Sequence, residues 1–170
     1  MSDKIFDFTL SSMNRQIETI KKARTSLLEQ IEDLTVDQFN QIPQGFENNI
    51  SWNMGHMIVV QQGICYQKSG LPQLISDNFG KKFGPGSRPE EIIGIIEIIN
   101  IKQLLVTTLE QLETDYESRI FGNYMGWSTR LGNKVLSIHD GLEFLSFHEK
   151  LHSGTITAMK RLVMRDSASM

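Results

Sequence analysis

The sequence predicts an all-α protein with the architecture of a four-helix bundle. Apolar residues recur three or four positions apart in four long segments, and capping residues, prolines and glycines delimit these segments. No segment carries a convincing strand pattern, so the helices must pack on one another. With 170 residues, the chain has the length of a single domain, residues 1–170, that can bury a hydrophobic core.

Composition and charge exclude several classes of protein. Hydrophobic residues make up 39% of the chain, as in ordinary globular proteins, and the net charge of −3 provides no basic field for nucleic acid or anionic lipid. No apolar run approaches the roughly 18 residues that span a bilayer, and the first residues lack the apolar core of a signal peptide. We therefore expect a cytoplasmic protein without a nucleic-acid or membrane partner. A single cysteine, Cys65, leaves no internal disulfide.

The first predicted helix runs from Ile5 to Leu34. Its apolar stripe is interrupted at Arg24 and consists of Met13, Ile17, Ile20, Leu27, Ile31 and Leu34. Thr35 and Gln38 have the spacing of a capping box, which predicts a short helical turn before the loop at residues 43–49.

The second predicted helix runs from Ile50 to about Ser69. Asn49 is a favourable N-cap, and Gly70 followed by Pro72 is a typical helix stop. The glycine-rich segment from Leu71 to Ser87 is expected to be an irregular polar loop. Fully extended, the loop from Gly70 reaches about 60 Å, twice the length of a 20-residue helix, so the helices that it joins need not be antiparallel.

The third predicted helix begins at a second capping box, Ser87 with Glu90, and ends near Glu117. Pro89 fits its first turn, where a missing N–H donor costs nothing. Seven isoleucines surround the helix axis instead of forming one stripe: Ile92, Ile93, Ile95, Ile96, Ile98, Ile99 and Ile101. Two explanations remain open, namely central burial within the monomer and a dimer interface.

The fourth predicted helix runs from about His139 to Met164. An aromatic-rich loop from Glu117 to Leu136 precedes it, and a small hairpin is the alternative for this loop. The inner stripe of the helix places two histidines among apolar residues: Leu145, His148, His152, Ile156, Met159 and Val163.

Three histidines are expected to converge in the core. His148 and His152 lie four residues apart, so both rings face the same side of the fourth helix. His56 lies on the core-facing side of the second helix, together with Trp52 and Val59. Each buried imidazole must satisfy two ring nitrogens, and a shared cation uses one nitrogen of each. The sequence therefore predicts a metal site at His56, His148 and His152.

The three imidazoles form a donor set that suits Zn²⁺ or Ni²⁺, and also Fe²⁺ or Co²⁺, with a coordination position open to water or substrate. A catalytic metal at such a position lowers the pKa of water towards about 7 or holds a substrate thiol as thiolate. His139 and Cys65 are excluded as ligands, because each lies nine residues from a cluster histidine on its own helix and points away. Asn53, one turn before His56, is a candidate to support the site or contact substrate, with packing near the helix start as the alternative.

The fourth helix also spells the H-E-x-x-H motif of zinc metalloproteases across His148, Glu149 and His152. The context argues against a protease, because no histidine follows downstream and no strand is predicted to hold a peptide. Ala158 stands where the metzincin pattern has its third histidine. Glu149 lies about 100° from His148 around the helix, which leaves two interpretations open, a general base and a solvated flank residue.

Two segments resemble signatures of the DinB/YfiT-like superfamily. The stretch from Asn48 to His56 is similar to its second-helix pattern, N-x-x-W-x-x-G-H, and Phe147 to Gly154 is similar to its fourth-helix pattern, H-x-x-x-H followed closely by glycine. The resemblance implies a bundle of up-down-down-up topology with long crossover loops, a divalent metal held by His56, His148 and His152, and a homodimer. Members include transferases and isomerases that use small thiols such as bacillithiol or mycothiol, and metal-dependent hydrolases without a known substrate.

The sequence thus supports two classes of function. The first is a metal-dependent enzyme whose three-histidine site activates a small thiol for S-transfer or water for hydrolysis. The second is a non-catalytic dimeric bundle that binds a metal or another ligand. Thr155 stands where many members of the superfamily carry glutamine, so the resemblance does not extend to that side chain. Four basic residues in the long loops could attract an anionic substrate or could be solvated surface groups: Lys81, Lys82, Arg88 and Arg130.

Overall fold

The computed structural model describes residues 2–167, with side chains from residue 15 to residue 165. Helices dominate, as the sequence predicts: α1 Ser2–Gln30, α2 Val36–Asn40, α3 Ile50–Cys65, α4 Asp77–Phe83, α5 Ile95–Glu117 and α6 Ile138–Ser167. A 3-10 turn, Gln67–Ser69, follows α3, and an antiparallel hairpin pairs β1, Trp127–Ser128, with β2, Lys134–Val135. Met13, part of the predicted apolar stripe, lies outside the described side chains.

The four long helices pack around a core that is divided into two apolar clusters. Both α5 and α6 pack against α1 and against α3. One cluster includes Leu27, Ile58, Ile101 and Ile156, and the other includes Ile17, Ile64, Leu109 and Leu145. Between the two clusters, each long helix contributes a buried polar residue: Arg24, Gln61, Thr108 and Glu149. These four residues form a polar layer that crosses the bundle.

The predicted capping residues of α2 and α3 are confirmed. Thr35 Oγ1 accepts a hydrogen bond from the Gln38 amide at 3.3 Å, and the Gln38 side chain accepts one from the Thr35 amide at 3.0 Å. Asn49 Oδ1 accepts from the Trp52 amide at 2.8 Å. Each bond satisfies a donor that a helix start would otherwise leave without a partner.

The first two helices end earlier than predicted. The chain leaves α1 at Gln30 and turns over residues 31–33, so Leu34 reaches the core from the turn that leads into α2. The second helix, α3, ends at Cys65 and continues as the 3-10 turn. Gly70 stops this turn in the left-handed conformation expected of it, with φ of 70°.

The segment from Leu71 to Ser87, expected to be irregular, contains the helix α4, and that expectation is wrong. Ser76 caps the helix by accepting from the Phe79 amide at 3.2 Å. The rings of Phe79 and Phe83 lie one turn apart with centroids 4.7 Å from each other, and Phe83 is buried. Packing of the half-buried Phe79 against the buried Phe83 stabilises a helical turn that the glycines alone do not favour.

The third long helix begins at Ile95, so the predicted capping box of Ser87 and Glu90 is also wrong. Ser87 Oγ is engaged elsewhere, where it accepts from Trp52 Nε1 at 2.9 Å. The side chain of Asn40 holds Ile93 through two hydrogen bonds of 2.9 Å, one to the Ile93 carbonyl and one from its amide. The residues between Ser87 and Ile93 are therefore not part of a helix.

The isoleucines around α5 divide between core and solvent. Ile98 and Ile101 are buried, as is Ile93 before the helix, whereas four others are exposed: Ile92, Ile95, Ile96 and Ile99. Central burial within the monomer therefore does not account for the whole set, and the exposed four form what we call the isoleucine face. Among the described helices, none combines the length and hydropathy of a membrane-spanning segment.

The last part of the chain follows the prediction closely. The hairpin proposed as the alternative for the aromatic-rich loop is present, with Trp127 opposite Val135. The fourth long helix, α6, begins at Ile138, where Ser137 and Asp140 cap it through Asp140 N to Ser137 Oγ at 3.2 Å and the return bond at 3.1 Å. Its inner stripe is buried, including Leu145 and Ile156, except for His152, which is half-buried.

A glycine in α3 allows α4 to pack directly against the helix that carries His56. A Cβ atom placed on Gly55 would lie 2.4 Å from Cγ of Phe83, well inside van der Waals contact. Only glycine therefore admits the Phe83 ring at this point, at the cost of a residue with poor helix propensity.

We predict that Gly55→Ala destabilises the protein by about 1 to 3 kcal/mol, because the methyl group forces the Phe83 ring off the helix. Gly63→Ala is the matched control in the same helix, since its Cβ would meet only Gln67 Oε1 at 3.8 Å, and it should be neutral or stabilising. Urea unfolding of both variants measures the difference. Equal stability of the two variants would contradict the packing described here.

Candidate metal centre

The structure brings His56, His148 and His152 together at the junction of α3 and α6. One ring nitrogen from each lies within 4.8 Å of the corresponding nitrogens of the other two. The ring centroids are 5.3 Å apart for His56 and His148, 5.0 Å for His56 and His152, and 4.3 Å for His148 and His152. His56 and His148 are largely buried, with 8% and 9% of their surface exposed, and His152 is half-buried.

His56 is held in one tautomer by the backbone of α4. Its Nδ1 lies 2.8 Å from the carbonyl oxygen of Phe83, which can only accept a hydrogen bond. Nδ1 therefore carries the proton, and the lone pair of Nε2 is free for a ligand bond. The Trp52 ring stacks on the imidazole with centroids 4.6 Å apart, which restricts rotation of the ring.

His152 is held in the same way by a side chain from α3. Its Nδ1 lies 2.8 Å from Oδ1 of Asn53. The orientation of this amide follows from its other contact, because Asn53 Nδ2 donates to the Asn49 carbonyl at 2.8 Å and leaves Oδ1 facing the imidazole. His152 thus also carries its proton on Nδ1. Asn53 is buried and bonds both to His152 and to the backbone at the start of α3, and its role in a metal site stays a prediction.

His148 differs from the other two histidines because its Nδ1 is buried without a hydrogen-bond partner among the described residues. A buried polar nitrogen left in this state costs roughly 1 to 3 kcal/mol. The ring is bounded on one side by Phe144, whose centroid lies 6.3 Å away, and Phe144 in turn packs against Trp127 of the hairpin. A cation bound in this cluster would give this ring the partner that it lacks among the described residues.

The electrostatic environment keeps all three imidazoles neutral. Burial, and to a smaller extent the neighbouring His152, His56 and Arg24, lower the pKa of His148 to about 3. Burial and then His56 lower the pKa of His152 to about 4. Burial also lowers the pKa of His56, although its bond to the Phe83 carbonyl opposes this shift. Neutral imidazole is the form that binds a metal ion.

Glu149 is buried and bonded to Arg24, so the interpretation as a solvated flank residue is wrong. Both residues are 1% exposed. Glu149 Oε1 accepts from Arg24 Nη2 at 2.6 Å, and Oε2 accepts from Arg24 Nε at 3.0 Å. The general-base interpretation stays a prediction. Both oxygens of this carboxylate accept hydrogen bonds from the guanidinium, so Glu149 could accept a proton only after one of these bonds breaks.

The residues excluded as ligands lie away from the cluster. His139 is half-buried, its Nε2 lies 3.5 Å from Oε1 of Glu143, and it is not part of the cluster. Cys65 is fully buried, and burial raises the pKa of its thiol to about 12, which agrees with an inert packing residue. Thr155 is half-buried, and its hydroxyl donates to the Leu151 carbonyl within α6.

Two of the four basic residues considered for anion attraction are paired with carboxylates. Lys82 Nζ lies 2.6 Å from Glu91 and 2.7 Å from Glu97. Arg88 pairs with Glu47 at 3.3 Å, and both side chains are exposed. A cleft of about 580 Å³ is lined by Lys81, Lys82 and Arg88, and it touches Trp52 and Phe83 but none of the three histidines. Surface pairing therefore describes Lys82 and Arg88 better than attraction of an anion to the cluster.

Sequence reasoning missed two groups that organise the site. Arg24 appeared only as an interruption of an apolar stripe, and an isolated charge at a core position is the signal that it needs a buried partner. The Phe83 carbonyl had no signal in the sequence, because a backbone group acquires its role only when the chain brings α4 against Gly55.

Comparison with protein families gives a match over most of the chain. A family model described as the DinB superfamily matches residues 19–156, a range that contains all three histidines. A search of curated proteins gives no match. The family and the histidine cluster together suggest a bound metal ion.

We predict that the metal-free protein loses stability as the pH falls below about 6.5. The unfolded chain takes up protons on these imidazoles near that pH, whereas the folded chain resists protonation until the pKa values of about 4 and 3 of His152 and His148. The unfolding free energy should fall by about 1 kcal/mol per pH unit for each of these two histidines, hence by roughly 2 kcal/mol in total, between pH 6 and 5. Urea unfolding at several pH values measures this, with His148→Phe expected to reduce the slope. A stability that does not change from pH 7 to pH 5 would contradict the burial of neutral histidines.

Proposed function

This chain belongs to the DinB superfamily, and from that membership and its histidine cluster we propose that it is a metal-dependent enzyme acting on a small molecule. His56, His148 and His152 bind the metal, and the site activates either a small thiol for S-transfer or water for hydrolysis. The observation that carries the proposal is the convergence of three neutral imidazoles, two of which have Nδ1 fixed as a donor.

The donor set favours a particular group of metals. Three nitrogen ligands without a thiolate suit Zn²⁺ or Ni²⁺, with Fe²⁺ and Co²⁺ as further candidates. A three-ligand site leaves at least one position for water or substrate, which is typical of catalytic metals. Cys65 is buried and lies on the opposite side of α3 from His56, so it cannot bind the same metal. In an S-transfer reaction the reactive sulfur would therefore belong to the substrate.

The residues around the cluster would orient the three imidazoles and keep their metal-binding nitrogens free of protons. Phe83 and Asn53 hold the Nδ1 protons of His56 and His152, which directs Nε2 towards the centre of the cluster. Burial keeps His148 neutral, so it is ready to bind a cation at neutral pH. When bound, the metal supplies Lewis-acid activation of water or of a thiol. A proton released from either would pass to solvent or to Glu149, and the latter would need Arg24 to move.

The contacts between helices support an up-down-down-up topology, which we include in the proposal. Gln61 of α3 bonds to Thr108 of α5, and Tyr66, just after α3, bonds to Asp115 of α5. The residue numbers of the two partners increase together, as expected for parallel helices. Along α1 and α6, Arg24 meets Glu149 and Gln30 meets Thr157, which again rise together. Along α3 and α6, Asn53 meets Met159 whereas His56 meets His148, as expected for antiparallel helices.

A second candidate function is a non-catalytic dimeric bundle that binds a metal or another ligand. Two observations favour it. The 580 Å³ cleft does not reach the histidines, so it provides no ready substrate pocket at the cluster. The isoleucine face is exposed in the monomer and would be covered by a second copy of the chain.

We predict that the protein, purified without chelator or histidine tag, contains about one equivalent of a divalent transition metal. His148→Ala should lower the metal content well below half an equivalent, because it removes one of three ligands. His139→Ala is the matched control on the same helix and should leave the content unchanged, since His139 pairs with Glu143 outside the cluster. Elemental analysis measures all three proteins. Wild-type protein without metal, or equal loss in both variants, would contradict the proposed site.

The same preparations separate the enzyme from the binding protein. In protein loaded with Co²⁺, a small thiol such as a cysteine derivative should change the visible spectrum if the open position accepts a thiolate. An unchanged spectrum with thiols, together with no hydrolysis of activated esters, would favour the non-catalytic bundle.

We also predict that the protein is a dimer in solution, with twice the chain mass of 19.4 kDa. Ile96→Lys should yield a monomer, because it places a charge in the isoleucine face. Leu131→Lys is the control, since Leu131 is also exposed but lies outside that face. Light scattering at micromolar concentration measures the masses. A wild-type mass near 19.4 kDa would contradict the proposed interface.

A further inference from the structure

The polar layer contains a buried guanidinium that bonds to all of the other long helices. Arg24, on α1, is 1% exposed. Its Nε and Nη2 donate to Glu149 on α6 at 3.0 and 2.6 Å. Its Nη1 donates to Gln61 on α3 and to the Leu105 carbonyl on α5, each at 2.9 Å. A longer contact of 3.5 Å joins Nη2 to the Met57 carbonyl on α3.

These contacts use every N–H group of the guanidinium, one on Nε and two on each Nη. Such complete pairing is what a buried arginine needs, because any unpaired donor in the core would cost free energy. The geometry of the fork leaves little freedom to the partners. Displacing α6 or α3 relative to α1 would break one of the shorter bonds.

Two of the partners are adjacent in sequence to cluster histidines. Glu149 directly follows His148, and Met57 directly follows His56. Arg24 therefore bonds to the side chain that follows one cluster histidine on α6, and it contacts the backbone carbonyl that follows another on α3. Gln61 reinforces the tie to α3, because its Nε2 donates to the Thr108 carbonyl of α5 at 2.8 Å.

We propose that Arg24 is a positioning residue for the histidine cluster: through Glu149 and the α3 contacts it sets the spacing at which His56 faces His148 and His152. This inference rests on the proposed metal site. It assigns to Arg24 a role in geometry, separate from the effect of its charge, since a positive charge beside a cation site would by itself weaken metal binding.

Two variants separate positioning from charge. Arg24→Lys keeps the charge and loses the two-pronged bond to Glu149, so it should weaken Co²⁺ binding by about tenfold. The double variant Arg24→Met, Glu149→Met removes both charges and leaves no buried ion unpaired, so it should fold yet also bind Co²⁺ at least about tenfold more weakly. A role through charge alone predicts no change for the first variant and no weakening for the second.

A control distinguishes positioning from general loss of stability. Tyr66→Phe removes the 2.7 Å hydrogen bond from Tyr66 to Asp115, which joins α3 and α5 away from the cluster. It should lower stability by an amount detectable in urea unfolding and leave the dissociation constant for Co²⁺ within about twofold of wild type. Weakening by Tyr66→Phe equal to that by Arg24→Lys would overturn the proposal.

The experiment is a Co²⁺ titration of the full chain followed by its visible spectrum, with ¹⁵N NMR of the histidine rings in metal-free protein as a second measurement. We expect wild-type His152 to show the single Nδ1–H tautomer set by Asn53, and both Arg24 variants to show mixed tautomers and weaker Co²⁺ binding. Wild-type affinity and a single tautomer in both variants would overturn the proposal. Wild-type protein that binds no Co²⁺ would refute the metal site, and the tautomers in the variants would then decide the positioning role alone.

Discussion

The buried guanidinium of Arg24 is the constraint on which the arrangement of the bundle depends. Apolar packing above and below it tolerates small shifts of one helix along another, because hydrophobic contact is not directional. The bonds from Arg24 to Glu149, Gln61 and Leu105 are directional, and they are all made only when the long helices are in a single relative register. An ion pair as buried as this one adds little net stability compared with apolar residues, so its effect is on which packing is adopted.

The histidine cluster lies beside this layer, where two apolar clusters give way to polar groups. The hydrogen-bond acceptors that fix His56 and His152 are of different kinds. A backbone carbonyl from α4 holds His56, and a side-chain amide from α3 holds His152. Gly55 makes the first possible by admitting the Phe83 ring, and Asn49 makes the second possible by fixing the Asn53 amide. The W-x-x-G-H segment, Trp52 to His56, thus contains one histidine of the site and also Asn53 and Gly55, on which the positions of the histidines depend. Burial keeps the imidazoles neutral, which is the protonation state that binding of a cation requires.

Much of this site could be predicted from helical phase alone. The spacing of His148 and His152 is a local property of one helix, and so is the phase of His56 relative to Trp52. These local properties correctly predict that the three histidines lie on the inner sides of their helices. Features that depend on contacts between distant segments were not accessible in this way. Ser87 has the spacing of a helix cap, but its hydroxyl bonds to Trp52 of a distant segment, and α4 owes its helical turn to the packing of Phe79 against Phe83. Glu149 looked like a flank residue because its partner, Arg24, lies on another helix.

We propose that three imidazoles from α3 and α6 hold one metal ion without a sulfur ligand. X-ray absorption at the zinc edge of protein loaded with one equivalent of Zn²⁺ identifies the ligands, since imidazole and sulfur scattering are readily distinguished. We expect three imidazole ligands with one further oxygen or nitrogen, at about 2.0 to 2.1 Å. A sulfur shell near about 2.3 Å, or fewer than three imidazoles, would contradict it.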